Sequence, residues 1–299
     1  MEIEDARRFY AEEIRAVANV QNDALAEAFA RVRREDYLGP GPWQIATPDS
    51  WQAMTQSGAS GASGGYRTTP DADPRHLYHN VVVAIDAARR LNNGQPGSLA
   101  TWLDALELRR GERVLHVGCG VGYYTAIIAE TVGTEGKVTG VEVDPHLAAR
   151  ARANLAHLPH VEVVEADGGA YDAGECDAIF VNAGVTHPRR VWLDSLAEGG
   201  RLILPLTVAR GPEDSGGGFM LKVVREGGAL AARFISPVAI FPCAGSRDDA
   251  LNVKLREALM RGNFASVRSL RRDAHEPSET CWLHGEGFCL STLPPSEQD

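Results

Sequence analysis

The 299-residue sequence has little of three things: long apolar runs, cysteine and positive charge. No apolar run approaches the roughly 20 residues that a membrane-spanning helix requires, so no membrane association is expected. Residues 1–10 mix acidic and basic side chains and lack the apolar stretch of a secretory signal. The five cysteines are scattered and odd in number, which favours a reducing compartment over a disulfide framework. These absences predict a cytoplasmic protein.

The charge balance is acidic, with a formal net charge of −10 at pH 7. A protein that binds nucleic acid mainly through its phosphates needs a basic face, so we expect no nucleic-acid partner. Hydrophobic residues make up 44% of the chain and charged residues 23%, as in ordinary globular domains. A chain of this length buries enough apolar surface to fold without a disulfide or a metal ion.

The middle of the chain alternates apolar strands with amphipathic helices. We predict strands at residues 114–117, 137–143, 161–166, 178–181 and 201–206, and helices at 123–131, 145–155 and 187–196. This alternation predicts the α/β class, with a doubly wound, Rossmann-like and mostly parallel sheet that is covered on both faces. Residues 219–225 and 229–241 predict an antiparallel hairpin that closes the sheet.

Both ends of the chain lie outside this alternation. Apolar spacing predicts a helix over residues 3–29, and Ser98 is expected to cap a helix over 99–108. A glycine- and serine-rich stretch near 55–68 predicts a flexible surface loop. Beyond Cys243 we expect one helix, at 248–260, followed by a polar tail.

A glycine turn follows the first of the central strands, with the spacing GxGxG at Gly118, Gly120 and Gly122. Glycines let the backbone turn sharply and approach a ligand without a Cβ in the way. The turn alone is a weak signal, because many tight strand–helix turns use glycine only for packing.

Two acidic residues strengthen this signal. Glu142 ends the second strand, where a carboxylate can accept hydrogen bonds from both hydroxyls of a ribose. Asp167 stands before Gly168 at the end of the third strand, where it can accept a hydrogen bond from an exocyclic amine such as that of adenine. Because the carboxyl ends of parallel strands form the ligand-binding edge of such sheets, the pattern predicts a nucleoside site.

These motifs resemble class I S-adenosylmethionine (SAM) dependent methyltransferases and, more narrowly, the protein-L-isoaspartate O-methyltransferase family. The matching segments are VLHVGCGVGYYT, VTGVEVDP, VEVVEADG, CDAIFVNAG and LAEGGRLILPL, with the upstream VRREDYL at residues 32–38 and the downstream FMLKVVREGG and ISPVAIFPC. The resemblance covers roughly residues 24–243, with the glycine-rich stretch as an insert. It implies a helical and substrate-loop region at 1–98, a SAM-binding methyltransferase domain at 99–244 and a C-terminal extension at 245–299.

The resemblance also implies which residues bind SAM. The glycines would line its methionine part, Glu142 would hold the ribose, and Asp167 with Gly168 would hold the adenine. The full expected set is Gly118, Cys119, Gly120, Gly122, Glu142, Val143, Asp167, Gly168 and Asn182. His116 stands where the family carries an acid that orients the amino group of SAM. A histidine there either weakens that contact, leaves it to water, or is merely tolerated beneath the turn.

The sequence departs from the family at its T-I-S-x-P motif, whose serine positions the isoaspartyl carboxylate. Residues 92–96 read Asn-Asn-Gly-Gln-Pro, so Gly94 replaces that serine. We expect Asn93, Gly94, Gln95 and Pro96 to bind the substrate and Gln95 to position it, although an ordinary turn would explain the same residues. A carboxylate is already ionised near neutral pH, so losing the serine removes positioning and not a base.

The expected function is therefore a SAM-dependent O-methyltransferase that methylates a carboxylate of a protein or peptide, of the isoaspartyl type, by in-line transfer. A biosynthetic peptide or a small molecule is the alternative acceptor, and a SAM-binding protein without catalysis is a third reading. Cys281, His284 and Cys289 form a C-x2-H-x4-C pattern that lacks a standard four-ligand zinc spacing. We expect a packed aromatic segment there and no metal. The oligomeric state is not predicted.

Overall fold

The computed structural model describes residues 1–46, 65–209, 211 and 215–297. The helices are α1 Ile3–Ala18, α2 Asp23–Arg31, α3 Glu35–Leu38, α4 Pro96–Ala105, α5 Tyr123–Val132, α6 Pro145–Leu155, α7 Arg190–Asp194 and α8 Asp249–Arg261, with short 3-10 turns at Pro74–Leu77, Phe264–Ser266 and Pro295–Glu297. The strands are β1 Gln44–Ala46, β2 Tyr66–Thr68, β3 Ala84–Asp86, β4 Leu91–Asn92, β5 Arg113–Val117, β6 Lys137–Glu142, β7 Val161–Glu165, β8 Cys176–Val181, β9 Leu196–Val208, β10 Gly216–Glu226, β11 Ala229–Ile240, β12 Ser269–Arg271, β13 Cys281–Gly285 and β14 Phe288–Ser291.

Ten of these strands form one sheet in the order β13-β14-β12-β11-β10-β9-β8-β5-β6-β7. Strands β5 to β9 pair in parallel, and β9 to β14 pair antiparallel. The predicted α/β class with a mostly parallel central sheet and an antiparallel C-terminal hairpin is confirmed, since each predicted central strand is present. Within the described ranges, no helix is long and apolar enough to cross a membrane.

Two apolar layers cover the sheet. Along β5, Val114 faces the layer built by α1, α2, α4 and α5, while Leu115 and Val117 face the layer that contains Trp192 and Leu255. This alternation follows from the two-residue period of a strand. Helix α5 is apolar nearly all round because it is enclosed between the sheet and the N-terminal helices. It therefore supplies a rigid base for the glycine turn that precedes it.

The single helix predicted over residues 3–29 is wrong, because the chain breaks between α1 and α2. Asn19 adopts a left-handed conformation with φ 51°, and Asn22 caps α2 by accepting from the backbone N–H groups of Ala24 and Leu25. Asp104 accepts from the N–H groups of Gln21 and Asn22 and so fixes the break against α4. The apolar spacing continues across the break because both helices bury a face against the same core.

Two other helix predictions also need correction. Helix α4 begins at Pro96, before Ser98, which is therefore not its cap. Helix α7 covers only Arg190–Asp194 because Leu196 already belongs to β9, opposite Cys176 of β8.

The predicted domain boundaries stay a prediction. The loop predicted near 55–68 lies mostly outside the described residues, but its last part forms β2 and pairs with β1.

The C-terminal extension is more structured than predicted. The β10–β11 hairpin does not close the sheet, since β12 pairs with β11 and is followed by β14 and β13. Helix α8 packs against β9 and β13. The three added strands have three to five residues each, which is too short for the alternation that identifies a strand in a sequence.

Candidate cofactor and acceptor site

The glycine turn between β5 and α5 is held against β6. Its three glycines are left-handed, with φ of +74° at Gly118, +57° at Gly120 and +91° at Gly122. The N–H groups of Gly118 and Cys119 both donate to the carbonyl of Val141, at 2.8 and 3.1 Å. A Cβ at Gly120 would meet no atom of the described residues within 4 Å, whereas one at Gly122 would lie 2.7 Å from Leu155. Gly120 thus opens the backbone to a ligand, and Gly122 is needed for packing on α6.

Glu142 ends β6 and joins the turn to the next helix. Its Oε2 accepts a hydrogen bond from the N–H of Gly120 at 2.8 Å. Its Oε1 accepts from the N–H groups of Val143 and Asp144, at 3.0 and 3.1 Å. Glu142 as a whole is only 8% exposed. The carboxylate is therefore fixed at the carboxyl ends of β5 and β6, beside the open face of Gly120.

Asp167 lies two residues beyond β7, and its Oδ1 accepts from the N–H of Gly169 at 2.8 Å. The carbonyl of Gly168 accepts from the indole of Trp192 at 2.8 Å. A Cβ at Gly245 would overlap the Asp167 carboxylate, and one at Gly169 would overlap Ser246. The start of the C-terminal extension therefore borders Asp167, a contact that the sequence did not predict.

The other predicted cofactor residues, Val143, Asn182 and Cys119, also lie at the carboxyl ends of the parallel strands. Val143 is half exposed, beside Glu142. Asn182 follows β8 and donates its backbone N–H to the carbonyl of Val117 at 2.8 Å. The Cys119 side chain is buried beside Gly140, and burial raises the pKa of its thiol. Cys119 can therefore face a ligand only through its backbone.

His116 lies on β5 beneath the turn and is completely buried. Its Nδ1 lies 2.9 Å from the hydroxyl of Thr125, and its ring stacks on Phe180 with centroids 5.3 Å apart. Its Nε2 is buried and has no hydrogen-bond partner within the described residues. Burial lowers the pKa of His116 to about 3, so the ring is neutral at physiological pH.

This burial makes stability depend on pH. An unfolded histidine titrates near 6.5, so between about pH 6.5 and pH 3 the unfolded chain binds a proton that folded His116 does not. The free energy of unfolding therefore falls as the pH falls through 6.5. Between pH 7 and pH 5 we expect wild type to lose roughly 1–2 kcal/mol more than His116→Asn, which keeps an acceptor for Thr125. Urea unfolding at each pH measures the difference.

The exposed His157 provides the control, because His157→Ala should leave the wild-type pH dependence in place. Equal losses for wild type and His116→Asn would contradict the expectation.

The predicted acceptor segment lies before α4. Gly94 has φ +68°, and its N–H donates to Oδ1 of Asn92 at 2.9 Å. A Cβ at Gly94 would lie 2.8 Å from Leu99. The left-handed backbone and this contact disfavour a serine here. Gln95 is the N-cap residue of α4 without a side-chain capping bond, and Pro96 occupies the first turn.

Two buried donors near Gly94 have no hydrogen-bond partner within the described residues, namely Nδ2 of Asn93 and the hydroxyl of Tyr124. The Tyr124 ring lies 3.8 Å from the Cβ position of Gly94. A buried donor without a partner is costly, so such a pair marks a place where an acceptor group would be stabilised. Asn93 was predicted from the sequence. Tyr124 was not, and its only signal is its place two residues after Gly122.

Arg34 and Asn80 connect residues 77–81 to the start of α4, directly after the acceptor segment. The buried guanidinium of Arg34 donates to the carbonyls of Leu77 and Val81, each at 2.8 Å. Asn80 lies between these two residues in the sequence, and its Oδ1 accepts from the N–H of Gly97, at the start of α4, at 2.8 Å. Arg34 belongs to the VRREDYL segment that resembles the family, which was the available signal for it.

The β3–β4 turn approaches the cofactor edge through Arg89, which pairs with Asp144 at 2.6 Å. Although burial raises the pKa of Asp144, the Arg89 guanidinium and backbone N–H groups lower it below its usual value. The β3–β4 turn, which leads into the acceptor segment, is therefore linked by an ion pair to the residues that follow Glu142.

Known proteins are similar to the central part of this chain. The family model for protein-L-isoaspartate (D-aspartate) O-methyltransferases matches residues 69–215. A protein-L-isoaspartate O-methyltransferase of Ignicoccus hospitalis is 34% identical over 173 residues, which are 56% of this chain and 79% of that protein. One of Anaeromyxobacter dehalogenans is 38% identical over 155 residues, which are 50% of this chain and 70% of that protein.

Two solved structures share the fold. One, a protein-L-isoaspartate O-methyltransferase, has a TM-score of 0.57 at 22% identity, over 85% of this chain and 69% of that chain. The other, a Plasmodium falciparum protein described as such an enzyme in complex with S-adenosyl-L-homocysteine, has a TM-score of 0.54 at 16% identity, over 79% and 97%. Since the Ignicoccus relative is matched over more than two thirds of its length, this chain belongs to the protein-L-isoaspartate O-methyltransferase family.

Proposed function

We propose that this protein is a SAM-dependent O-methyltransferase that methylates the side-chain carboxylate of isoaspartyl residues in proteins or peptides. Family membership supports the activity. The observation that carries the cofactor assignment is the Glu142 carboxylate held 2.8 Å from the backbone nitrogen of Gly120, where a Cβ would meet no atom of the described residues within 4 Å.

The residues present fit SAM. The backbone of Gly118 to Gly120 would line its methionine part, and Glu142 would accept hydrogen bonds from its ribose hydroxyls. Asp167 and Gly168 would hold the adenine, with Val143 against the ring. When bound, SAM supplies a methyl group on a positively charged sulfur.

The acceptor chemistry requires placement more than proton transfer. A carboxylate is ionised near neutral pH, so the enzyme has to align its oxygen with the methyl group and exclude water. Nδ2 of Asn93 and the hydroxyl of Tyr124 are buried donors with no partner within the described residues, and they would bind the carboxylate. Gln95 stays a predicted positioning residue. Loss of the methyl ester as a succinimide forms would make the reaction a repair step.

The departure at Gly94 supports a second candidate acceptor. Gly94, with its left-handed backbone, stands where the family has a serine that positions the isoaspartyl carboxylate. Without that serine, the alternative acceptor is a carboxylate of a biosynthetic peptide or of a small molecule. A cytoplasmic location and the expectation of no nucleic-acid partner rest on cysteine usage and on the net charge of −10.

The test is methyl transfer from radiolabelled SAM to an isoaspartyl peptide, with the same peptide containing ordinary aspartate as the matched control. We expect base-labile methyl incorporation into the isoaspartyl peptide alone. If the protein bound SAM but methylated neither peptide, it would act on another acceptor or would not be catalytic. Failure to bind SAM in calorimetry would overturn the proposal.

Adding a methyl group at Gly120 should weaken SAM binding by more than its effect on protein stability explains. In Gly120→Ala the new Cβ would enter the open space assigned to SAM, so we expect at least about tenfold weaker binding, or about 1.4 kcal/mol. Gly111→Ala is the matched control, because Gly111 is also left-handed, at φ +82°, and also faces open space. Both variants should lose about 1 kcal/mol of stability, since the backbone strain is similar. Calorimetry with SAM would contradict the assignment if both variants bound as wild type does.

A further inference from the structure

A cluster of two histidines and two cysteines lies in the C-terminal extension, outside the 69–215 segment that matches the family. One donor atom from each of His275, Cys281, His284 and Cys289 lies within 4.8 Å of the other three. Cys281 and His284 belong to β13, Cys289 lies opposite His284 on β14, and His275 comes from the loop before β13. The hairpin thus presents three side chains, and the loop brings the fourth.

The distances are close to those of a metal site. The Sγ of Cys281 and the Nε2 of His275 are 3.5 Å apart, and the two imidazole rings meet edge to face with centroids at 4.9 Å. Around a tetrahedral zinc ion, sulfur and nitrogen ligands lie about 3.3–3.8 Å from one another. The largest separation among the four donor atoms, 4.8 Å, exceeds this spacing by about 1 Å.

The surroundings orient the ligands. Nδ1 of His275 donates to the carbonyl of Asp273 at 3.1 Å and lies 3.0 Å from the Asp273 carboxylate. Its Nε2 therefore carries the lone pair and faces Cys281, as in carboxylate–histidine–zinc arrangements. The N–H of Ser278 donates to the Sγ of Cys281 at 3.3 Å, a bond that supports a thiolate. Arg271 in turn holds Asp273 at 2.5 Å.

The other two ligands are shielded and lack competing partners. Cys289 is fully buried, and Nδ1 of His284 is buried with no hydrogen-bond partner within the described residues. All five cysteines are free thiols, so neither ligand sulfur is used in a disulfide. Two sulfur and two imidazole donors form the ligand set of structural zinc sites and satisfy a borderline-soft divalent ion.

We propose that His275, Cys281, His284 and Cys289 bind one zinc ion in a closed, tetrahedral, structural site. With all four positions filled by the protein, the ion has no open position for catalysis. It ties the loop before β13 to the β13–β14 hairpin, whose strands have five and four residues. Phe288, next to Cys289, stacks on His187 of the loop after β8, so the site also supports packing on the methyltransferase domain.

The proposal departs from the expectation of no metal. The sequence shows Cys281, His284 and Cys289 in a C-x2-H-x4-C pattern, and three ligands are not a zinc motif. The fourth ligand, six residues upstream of Cys281, is recognised only when the loop is seen to fold back.

Elemental analysis of the purified full chain tests the proposal, with about one zinc ion per chain expected. Zinc should fall to background in Cys281→Ser and in Cys289→Ser. Cys176→Ser and His157→Ala remove a buried cysteine and an exposed histidine elsewhere and should keep the ion. X-ray absorption of the wild type should show two sulfur and two nitrogen ligands, a result that does not depend on any variant folding.

Three outcomes would overturn the proposal. The first is a reduced wild-type chain that binds no added zinc or cobalt. The second is a Cys281–Cys289 disulfide in protein purified with zinc. The third is zinc retained in both ligand variants, or an absorption spectrum without sulfur ligands, since the ion would then be bound elsewhere.

Discussion

Replacing Glu142 with alanine is expected to weaken SAM binding by about 3 kcal/mol, more than a hundredfold. The change removes the acceptor proposed for both ribose hydroxyls. It also releases the N–H groups of Gly120, Val143 and Asp144, which Glu142 now holds in place. Hydrogen bonds to a charged group contribute about 1.5–3 kcal/mol each, and the ligand would lose two of them. Calorimetric titration with SAM and with S-adenosylhomocysteine measures the loss.

Two variants make this result specific. Glu142→Gln keeps the size and one acceptor oxygen, so its loss should be intermediate. Glu162→Ala removes an exposed carboxylate from the other end of the neighbouring strand, where it pairs with Lys137 at 3.5 Å, and should bind SAM as wild type does. If Glu142→Ala bound SAM normally, the cofactor would have to lie elsewhere.

Replacing Arg201 with methionine is expected to lower the free energy of unfolding by about 3–5 kcal/mol. The side chain is 5% exposed and forms two bonds of 2.9 Å to the Glu112 carboxylate. It also donates to the carbonyls of Leu106, Glu107 and Asp177. Methionine would remove the ion-pair partner of a nearly buried carboxylate, which would keep the N–H of Arg109, and would take the Arg201 donor from three carbonyls. Urea unfolding, analysed with an unchanged m-value, measures the loss.

A surface arginine provides the matched comparison. Arg113 pairs with Glu175 at 2.6 Å, but its side chain is 50% exposed. Arg113→Met should therefore change stability by no more than about 1 kcal/mol. Adding Glu112→Gln to Arg201→Met should recover part of the loss, because the charge without a partner disappears. Equal effects at Arg201 and Arg113 would show that burial does not set the cost.

The parallel part of the sheet could be predicted from the sequence because its strands are buried on both faces. Such strands appear as short apolar runs, and β5, β6 and β8 were each located to within a few residues. The break at Asn19 was missed because both helices keep one apolar face toward a common core. The strands β12 to β14 were missed because their neighbours, rather than their own patterns, determine them.

The site divides in the same way. Glu142 and Gly120 were found because Glu142 ends a predicted strand and Gly120 belongs to the glycine turn that follows another. Tyr124 was not found, since its identity as a donor without a partner depends on what the fold leaves beside it. Ser246 was missed for a related reason, because its place beside Gly169 joins segments far apart in the chain.

The C-terminal extension has one further consequence, which concerns the outer side of β11. Ala231 of β11 pairs with Ser269 of β12, and the N–H of Ala232 donates to the carbonyl of Arg268 at 2.9 Å. Without β12, the twelve-residue β11 would end the sheet, and the backbone groups around Ala231 that now pair with β12 would be free to bind other molecules. Long edge strands of this kind act as templates for intermolecular pairing. A chain shortened after β11 is therefore expected to self-associate.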